Sequence, residues 1–297
     1  MSTDYSASAL AAGDSVRIVA ARTTTLVAQA QKRHDCSPTV TAALGRLLTG
    51  AALMGTFLKG RERITLQIAG DGPVRGLLAD VVPGGRVRGY PLRPRADVPL
   101  NARGKFDVGG LVGRGSLHVT RTFDTGLPYT SAVPLASGEI GDDLTHYFAH
   151  SEQVPTVVGV GVLAGPPGVI AAGGFIAHLL PGAREETIGM LEQTVLRLPH
   201  PTAMIREGLS PEDIVTRVGE GLAPRVTHAA PVLFACTCSR DRVTRVLIGL
   251  GPAELSQLAN SDRETEVTCD WCGQRYWFAP SEVQELLHSA QGKESRN

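Results

Sequence analysis

Four of the five cysteines stand in two close pairs near the C-terminus. Cys236 and Cys238 lie in "FACTCSR", Cys269 and Cys272 in "VTCDWCGQRYWF", and thirty residues, 239 to 268, separate the pairs. A C-x-C followed by a C-x2-C supplies four soft thiolates, the donor set of a closed structural Zn²⁺ site. Gly273, directly after the second pair, suits the tight knuckle that turns backbone around a metal. The segments "TEVTC" and "QRYWF" read as the two strands of a ribbon, and Ser281-x-x-Gln284 as a capping box that opens a last helix. Trp271, Tyr276, Trp277 and Phe278 read as the small core beside the metal. So short a domain is too small to stand on its own core, and bound zinc can contribute about 10–16 kcal/mol to folding.

The same donors have a second chemistry. A metal-bound thiolate is deprotonated and keeps nucleophilic character toward peroxide or hypochlorous acid. Oxidation would most easily join near neighbours, Cys236 with Cys238 and Cys269 with Cys272, and release the metal. Each bridge closes a tiny loop worth about 1.5–2 kcal/mol, so two of them do not replace the lost ion. Strain in the C-x-C bridge should keep it reducible. Oxidation is therefore expected to unfold this region, and reduction with zinc to restore it.

The elements that carry these residues read as three parts. The chain has 297 residues, 42% of them apolar and 20% charged, which suits a folded chain of two domains. Lys plus Arg and Asp plus Glu both number 29, so no overall charge draws it to nucleic acid or an anionic membrane. "DSVRIVAAR" reads as a strand and "TTTLVAQAQKRH" as a helix; Ser37-Pro38 reads as the cap of a long apolar helix reaching about Leu58. "RITLQIAGDG", "PVRGLLADVV", "RVRGY" and "GSLHVTRTF" are strand-like, with turns between them. "SGEIGDDLTHYFAHSEQ" reads as a helix led by Ser137, with Glu139, Asp142 and Asp143 in its first turn. Gln153 to Ala183 contains no Asp, Glu, Lys or Arg, but the six glycines of 157–180 and Pro166-Pro167 favour two buried strands joined at 165–168 over a membrane helix.

Residues 1–178 are thus expected to form an α/β core with an antiparallel-rich sheet, and 232–297 the four-cysteine domain, an α+β chain overall. Between them, 179–231 reads as a helical linker of modest stability. Ile188, Leu191, Val195 and Leu198 make only a narrow apolar stripe, Ser210-Pro211 starts a second helix, and prolines and glycines interrupt the rest. The N-terminus lacks a signal-peptide pattern, which points to the cytoplasm, where close cysteines more often bind metal than form structural disulfides.

Other signals are weaker. His146 and His150 share a helix face without a third ligand, and Gly159-x-Gly161 lacks the helix start of a dinucleotide loop. Cys36 reads as a spare thiol. Neither G-x4-G-K-[ST] nor G-x-S-x-G occurs, so the commonest ATP and esterase signatures are absent. A zinc ribbon could instead serve nucleic acid, but residues 232–297 hold seven basic and nine acidic side chains, and four thiolates around a divalent ion add negative charge. An α/β enzyme with an appended zinc module remains a third class, without a recognisable catalytic set.

Taken together, "FACTCSRDRV", "EVTCDWCGQRYWF", "SGEIGDDLTHYFAHSEQVPT" and "AGGFIAHLLPGA" make a combination that resembles the redox-regulated 33 kDa heat-shock chaperonin family over nearly the whole chain. The resemblance implies a cytosolic holdase that is inactive while reduced and zinc-bound. It implies that oxidation with unfolding stress ejects zinc, disorders the C-terminal domain and linker, and promotes a homodimer. Exposed apolar surface would then hold unfolding client proteins without ATP. No short motif marks the client-binding surface.

Overall fold

An eighteen-residue helix, α2 (Pro38–Gly55), is buried along its whole length except at Pro38 and Arg46. The cause lies in its sequence, which is apolar or small on every side and so must be covered on every side. Ser37 caps it, its Oγ accepting from the Val40 amide at 3.2 Å, with Pro38 in the first turn. The computed structural model describes residues 3–165, 167–261 and 263–294, with side chains to 289. Chain contacts divide it into two compact units, Met1–Ala235 and Cys236–Asn297.

In the first unit, two sheets pack against α2. Strands β1 (Tyr5–Ala11), β2 (Val16–Arg22), β8 (Thr156–Gly165), β9 (Gly168–Leu179) and β10 (Arg225–Pro231) run antiparallel in the spatial order β10-β1-β2-β9-β8. Strands β3 (Arg63–Gly70), β4 (Gly76–Val82), β5 (Arg86–Pro91), β6 (Gly115–Thr122), β7 (Tyr129–Pro134) and β11 (Leu233–Phe234) form the other, in the order β11-β5-β4-β3-β6-β7, with only β11 parallel to its neighbour. Helix α1 (Thr24–His34) and the short α3 (Val108–Val112) complete this core. The Asp4 carboxylate, contributed from just before β1, accepts from the Leu26 amide at 2.7 Å and caps α1.

The charge-free stretch is now explained. In β9, Ala172 and Ile176 face the α2 core, while Ala171, Phe175, Ala177 and Leu179 face the opposite way into a second apolar cluster. In β2, Val19 and Ala21 face α2, and Val16, Ile18 and Ala20 face the second cluster. Strands buried on both faces read as unbroken apolar runs. Strands β8 and β9 pair up to Gly165↔Gly168; Pro166 lies outside the described residues. Among the described residues, no helix is long and apolar enough to cross a membrane.

The second cluster is roofed by α5 (Glu185–Arg197), α6 (Pro201–Arg206) and α7 (Pro211–Val218). Their cover is thin. Leu191 is the buried residue of α5, flanked by half-buried Ile188 and Val195, while Leu196 is 85% exposed. The stretch read as a helical linker is not helical to its end: Arg225–Pro231 is edge strand β10, paired with β1. Its largely exposed side chains carry no strand pattern, and its conformation is set by backbone pairing with a segment more than two hundred residues away. The weakly patterned β1 and β7 escape the sequence reading in the same way.

Helix α4 (Gly141–Tyr147), followed by a π-helical turn at Phe148–Glu152, starts three residues later than a cap at Ser137 would give. The buried Asp143 carboxylate accepts from the amides of Ala136, Ser137, Gly138 and Ile140, holding this loop in an extrahelical turn. That bonding displaces Ser137 from the cap.

The second unit contains α8 (Arg240–Ile248), α9 (Pro252–Ala259), a hairpin of β12 (Thr265–Thr268) and β13 (Arg275–Phe278), and α10 (Pro280–Glu294). Its core consists of Val243, Leu247, Leu255, Phe278 and Val283, with half-buried side chains around them. The last helix starts one residue before the expected capping box. Pro280 takes the first turn, and Glu282 reaches back to accept from the Ala279 amide at 2.8 Å.

Candidate metal centre

The β12–β13 hairpin delivers one half of the site. Register pairing of Thr268 with Arg275 leaves Cys269–Gln274 as its loop. Within the loop, the Cys272 and Gly273 amides donate to the Cys269 carbonyl at 3.2 and 2.8 Å, and the Cys269 amide donates to Gln274 at 2.9 Å. Gly273 sits at φ +69°, a left-handed conformation that a side chain would strain. The turn thus aims two sulfurs one way, as C-x2-C and a following glycine suggest.

The other half is the non-helical segment ahead of α8. Ser239 caps that helix by accepting from the Arg242 amide, and the Arg242 guanidinium returns to the Thr237 carbonyl and hydroxyl at 3.3 and 2.8 Å. These contacts fold the residue between Cys236 and Cys238 back over the helix start.

All four Sγ atoms lie within 4.8 Å of one another. Cys236 and Cys269 approach to 3.8 Å, Cys238 and Cys272 to 3.4 Å, far beyond disulfide bonding distance. A tetrahedral thiolate site with metal–sulfur bonds of about 2.3 Å places its sulfurs about 3.8 Å apart. The donor set fits such an ion, and its electrostatics ask for one. Burial, then the charge of Cys236, pushes the Cys269 thiol upward; burial does the same to Cys272. Four crowded sulfurs cannot all ionise beside one another unless a cation sits among them. The cluster is thus able to hold a metal.

Two residues that the spacing does not reveal organise the surroundings. Arg240 donates to the Trp277 carbonyl at 2.8 Å and to Glu282 at 2.6 Å, and its guanidinium lies 4.2 Å from the centre of the Phe278 ring. It therefore ties the C-x-C arm to β13 and to the start of α10. Tyr276 hydrogen-bonds Cys238, which raises the phenol's pKa. The aromatic cluster is split by strand alternation: Phe278 is buried and Tyr276 half-buried, but Trp277 faces outward at 46% exposure.

The discounted signals stay apart. Cys36 is buried at the start of α2, where burial and Asp35 push its thiol up to about 12, so it stays protonated and unreactive. The rings of His146 and His150 stack 3.9 Å apart, with no third ligand group among the described residues. Gly159 and Gly161 lie within β8, where added Cβ atoms would strike Phe175 and His200.

With this geometry in view, comparison with known proteins is decisive. The family model described as Hsp33 protein matches residues 4–279. The chain belongs to the Hsp33 family. The 33 kDa chaperonin of Geobacillus kaustophilus is 45% identical over 291 residues, covering 97% of this chain and 98% of the relative. That of Desulforamulus reducens is 40% identical over 292 residues, covering 98% and 99%. The crystal structure of the 33 kDa chaperonin of Thermotoga maritima superposes with a TM-score of 0.93 at 35% identity, covering 98% of this chain and all of that one. The function is that of the Hsp33 chaperonins, a redox-regulated holdase rather than an enzyme, and the four-cysteine cluster is its C-terminal hallmark here.

Proposed function

We propose that the gate of this holdase is a Zn²⁺ ion held by Cys236, Cys238, Cys269 and Cys272, in a switch domain that begins at Cys236 rather than at 232, because Val232 packs in the first unit's core and Leu233–Phe234 pair with β5. One observation carries the reading: four sulfurs converge within 4.8 Å in a unit whose apolar cluster has five buried side chains among the described residues. When bound, zinc would offset half of the charge of the four thiolates and cross-link the two arms. The protein's own part is to hold those arms. Arg242 closes the C-x-C turn, the Cys269 carbonyl closes the hairpin loop, and Arg240 joins both to α10.

Oxidation by a peroxide takes two thiols and one peroxide to one disulfide and two hydroxyl products, water in the case of hydrogen peroxide. Joining Cys236 to Cys238 and Cys269 to Cys272 consumes all four donors. Two small-loop bridges leave the arms unconnected to each other, and a five-residue core does not hold them.

Residues 179–231 serve as the metastable linker. Their helices α5–α7 roof an apolar face made by Ile18, Ala20, Phe175 and Ala177 among others. Loss of that roof exposes a continuous apolar surface of the kind that binds unfolded chains, and it is the client-binding surface we favour. The core of residues 1–178 stays folded as the platform. The same face supports homodimerisation of the oxidised form, and a reducing cytoplasm is the compartment in which such a gate rests closed.

Thermal aggregation of an unrelated client, followed by light scattering, tests this. Reduced zinc-loaded protein should leave aggregation unchanged, and peroxide-treated protein should suppress it without ATP. Equal behaviour of the two forms removes the gate.

A further inference from the structure

Away from the sulfurs, a cavity of about 350 Å³ opens where α6 meets β8, with Arg46, Lys105 and His200 among its lining residues. Leu100, Phe106 and Val162 supply apolar walls. The ionisable groups among the described lining residues are all basic. Arg46 is 85% buried at its side chain; Nη1 is engaged by the Glu139 carboxylate and carbonyl, and neither the buried Nε nor Nη2 has a hydrogen-bond partner among the described residues. His200 caps α6, its Nδ1 accepting from the Thr202 amide at 3.4 Å and lying 2.7 Å from the Thr202 hydroxyl. The ring is seated on bare backbone: a Cβ at Gly161 would lie 2.3 Å from its Cε1. Burial, then the charges of Arg46 and Lys105, lowers the His200 pKa, so the two cations act on the same space as the ring. No carboxylate is among the described residues that line the cavity.

We infer that this cavity binds a small organic anion, a carboxylate or phosphate ester with a short apolar body, which latches α6 onto β8. The volume is at the lower end for small-molecule sites, and the arrangement of apolar walls with a few convergent donors is typical of them. Arg46, Lys105 and Val162 come from the core, His200 and Thr202 from the roof, so an occupant touches both and opposes their separation. The latching role rests on α5–α7 being the layer released on activation; the binding site does not.

The test uses the full-length, reduced, zinc-loaded protein. Hexanoate and hexyl phosphate are titrated while the His200 Hε1 resonance is followed, with acetate and hexylammonium as controls; the two longer anions separate a carboxylate site from a phosphate site. The longer anions should shift the resonance saturably, and Lys105→Ala, at the exposed rim, should weaken binding about tenfold. Amide exchange of Met204 and Ile205 should slow about 100-fold at ligand 100 times its dissociation constant. An absent or unsaturable shift, or an equal response to hexylammonium, overturns the site. Binding without slowed exchange overturns the latch. Slowed exchange in a protein whose reduced and oxidised forms hold clients equally leaves the latch standing and removes the gate proposed above.

Discussion

The two units solve the same problem by different means. The first surrounds α2 with two sheets and gathers some forty buried apolar residues into one cluster. The apolar cluster of the second has five among the described residues. A protein interior of the first kind is held by area removed from water, which no mild chemical event reverses. The second depends on four sulfurs and what lies between them, so a change in electron count at sulfur reaches its fold directly. The α5–α7 layer is intermediate, with an apolar face of its own but few side chains to fill it.

The largest expected effect separates the two units outright. Removing zinc from the reduced protein with a chelator should cost the second unit about 10–16 kcal/mol and abolish amide protection across 236–289, while α2 and β3–β6 stay protected. Persisting protection in α8 or β13 would break the comparison.

A smaller effect belongs to the first unit alone. His178 is buried between the rings of Phe57 and Phe148, with Thr156 Oγ1 2.6 Å from Nδ1. Burial, then Arg17 and Arg121, lowers its pKa from 6.5 to about 4. The folded value is below the unfolded one, so this contribution is complete above pH 6.5 and is lost as pH falls through 4. Asp4, raised to about 6 chiefly by burial, works in the opposite direction. Comparing the wild type with His178→Asn cancels Asp4: between pH 6.5 and 4 the wild type should lose about 3 kcal/mol relative to the variant. Denaturant titrations of the first unit measure this, and parallel curves would refute it.

The smallest effect probes the intermediate layer. The Ser210 hydroxyl accepts from the Asp213 amide at 3.1 Å, and Asp213 accepts from the Ser210 amide at 2.9 Å. Ser210→Ala should loosen α7 by about 1 kcal/mol, read as faster exchange at Ile214, Val215 and Val218 with α2 unchanged. Equal acceleration in α2 would mean that the layer and the core open as one.

What the sequence reveals follows from how local each cause is. The sulfur site was legible because ligand type, spacing and the following glycine all lie within two short motifs. Helix α2 and the paired β8 and β9 were legible from capping chemistry and unbroken apolar runs. Strand β10 was hidden because its pairing partner, β1, lies at the other end of the chain. Asp143 looks like one more first-turn acid until four amides are seen to converge on it. The cavity at α6 was beyond reach for the same reason, since Arg46, Lys105, Val162 and His200 meet only through the fold.

The placement of β9 and β10 in one sheet has a last consequence. The 45 residues that separate Leu179 from Arg225 begin and end as strands of that sheet, each hydrogen-bonded to a neighbour within the β1–β2 pair. While those seams hold, the intervening helices are a tethered strap rather than a loose tail. Closing such a strap is a unimolecular event whose entropic cost grows only with the logarithm of its length. Once the face is free, reclosing over it is thus a first-order step, independent of protein concentration.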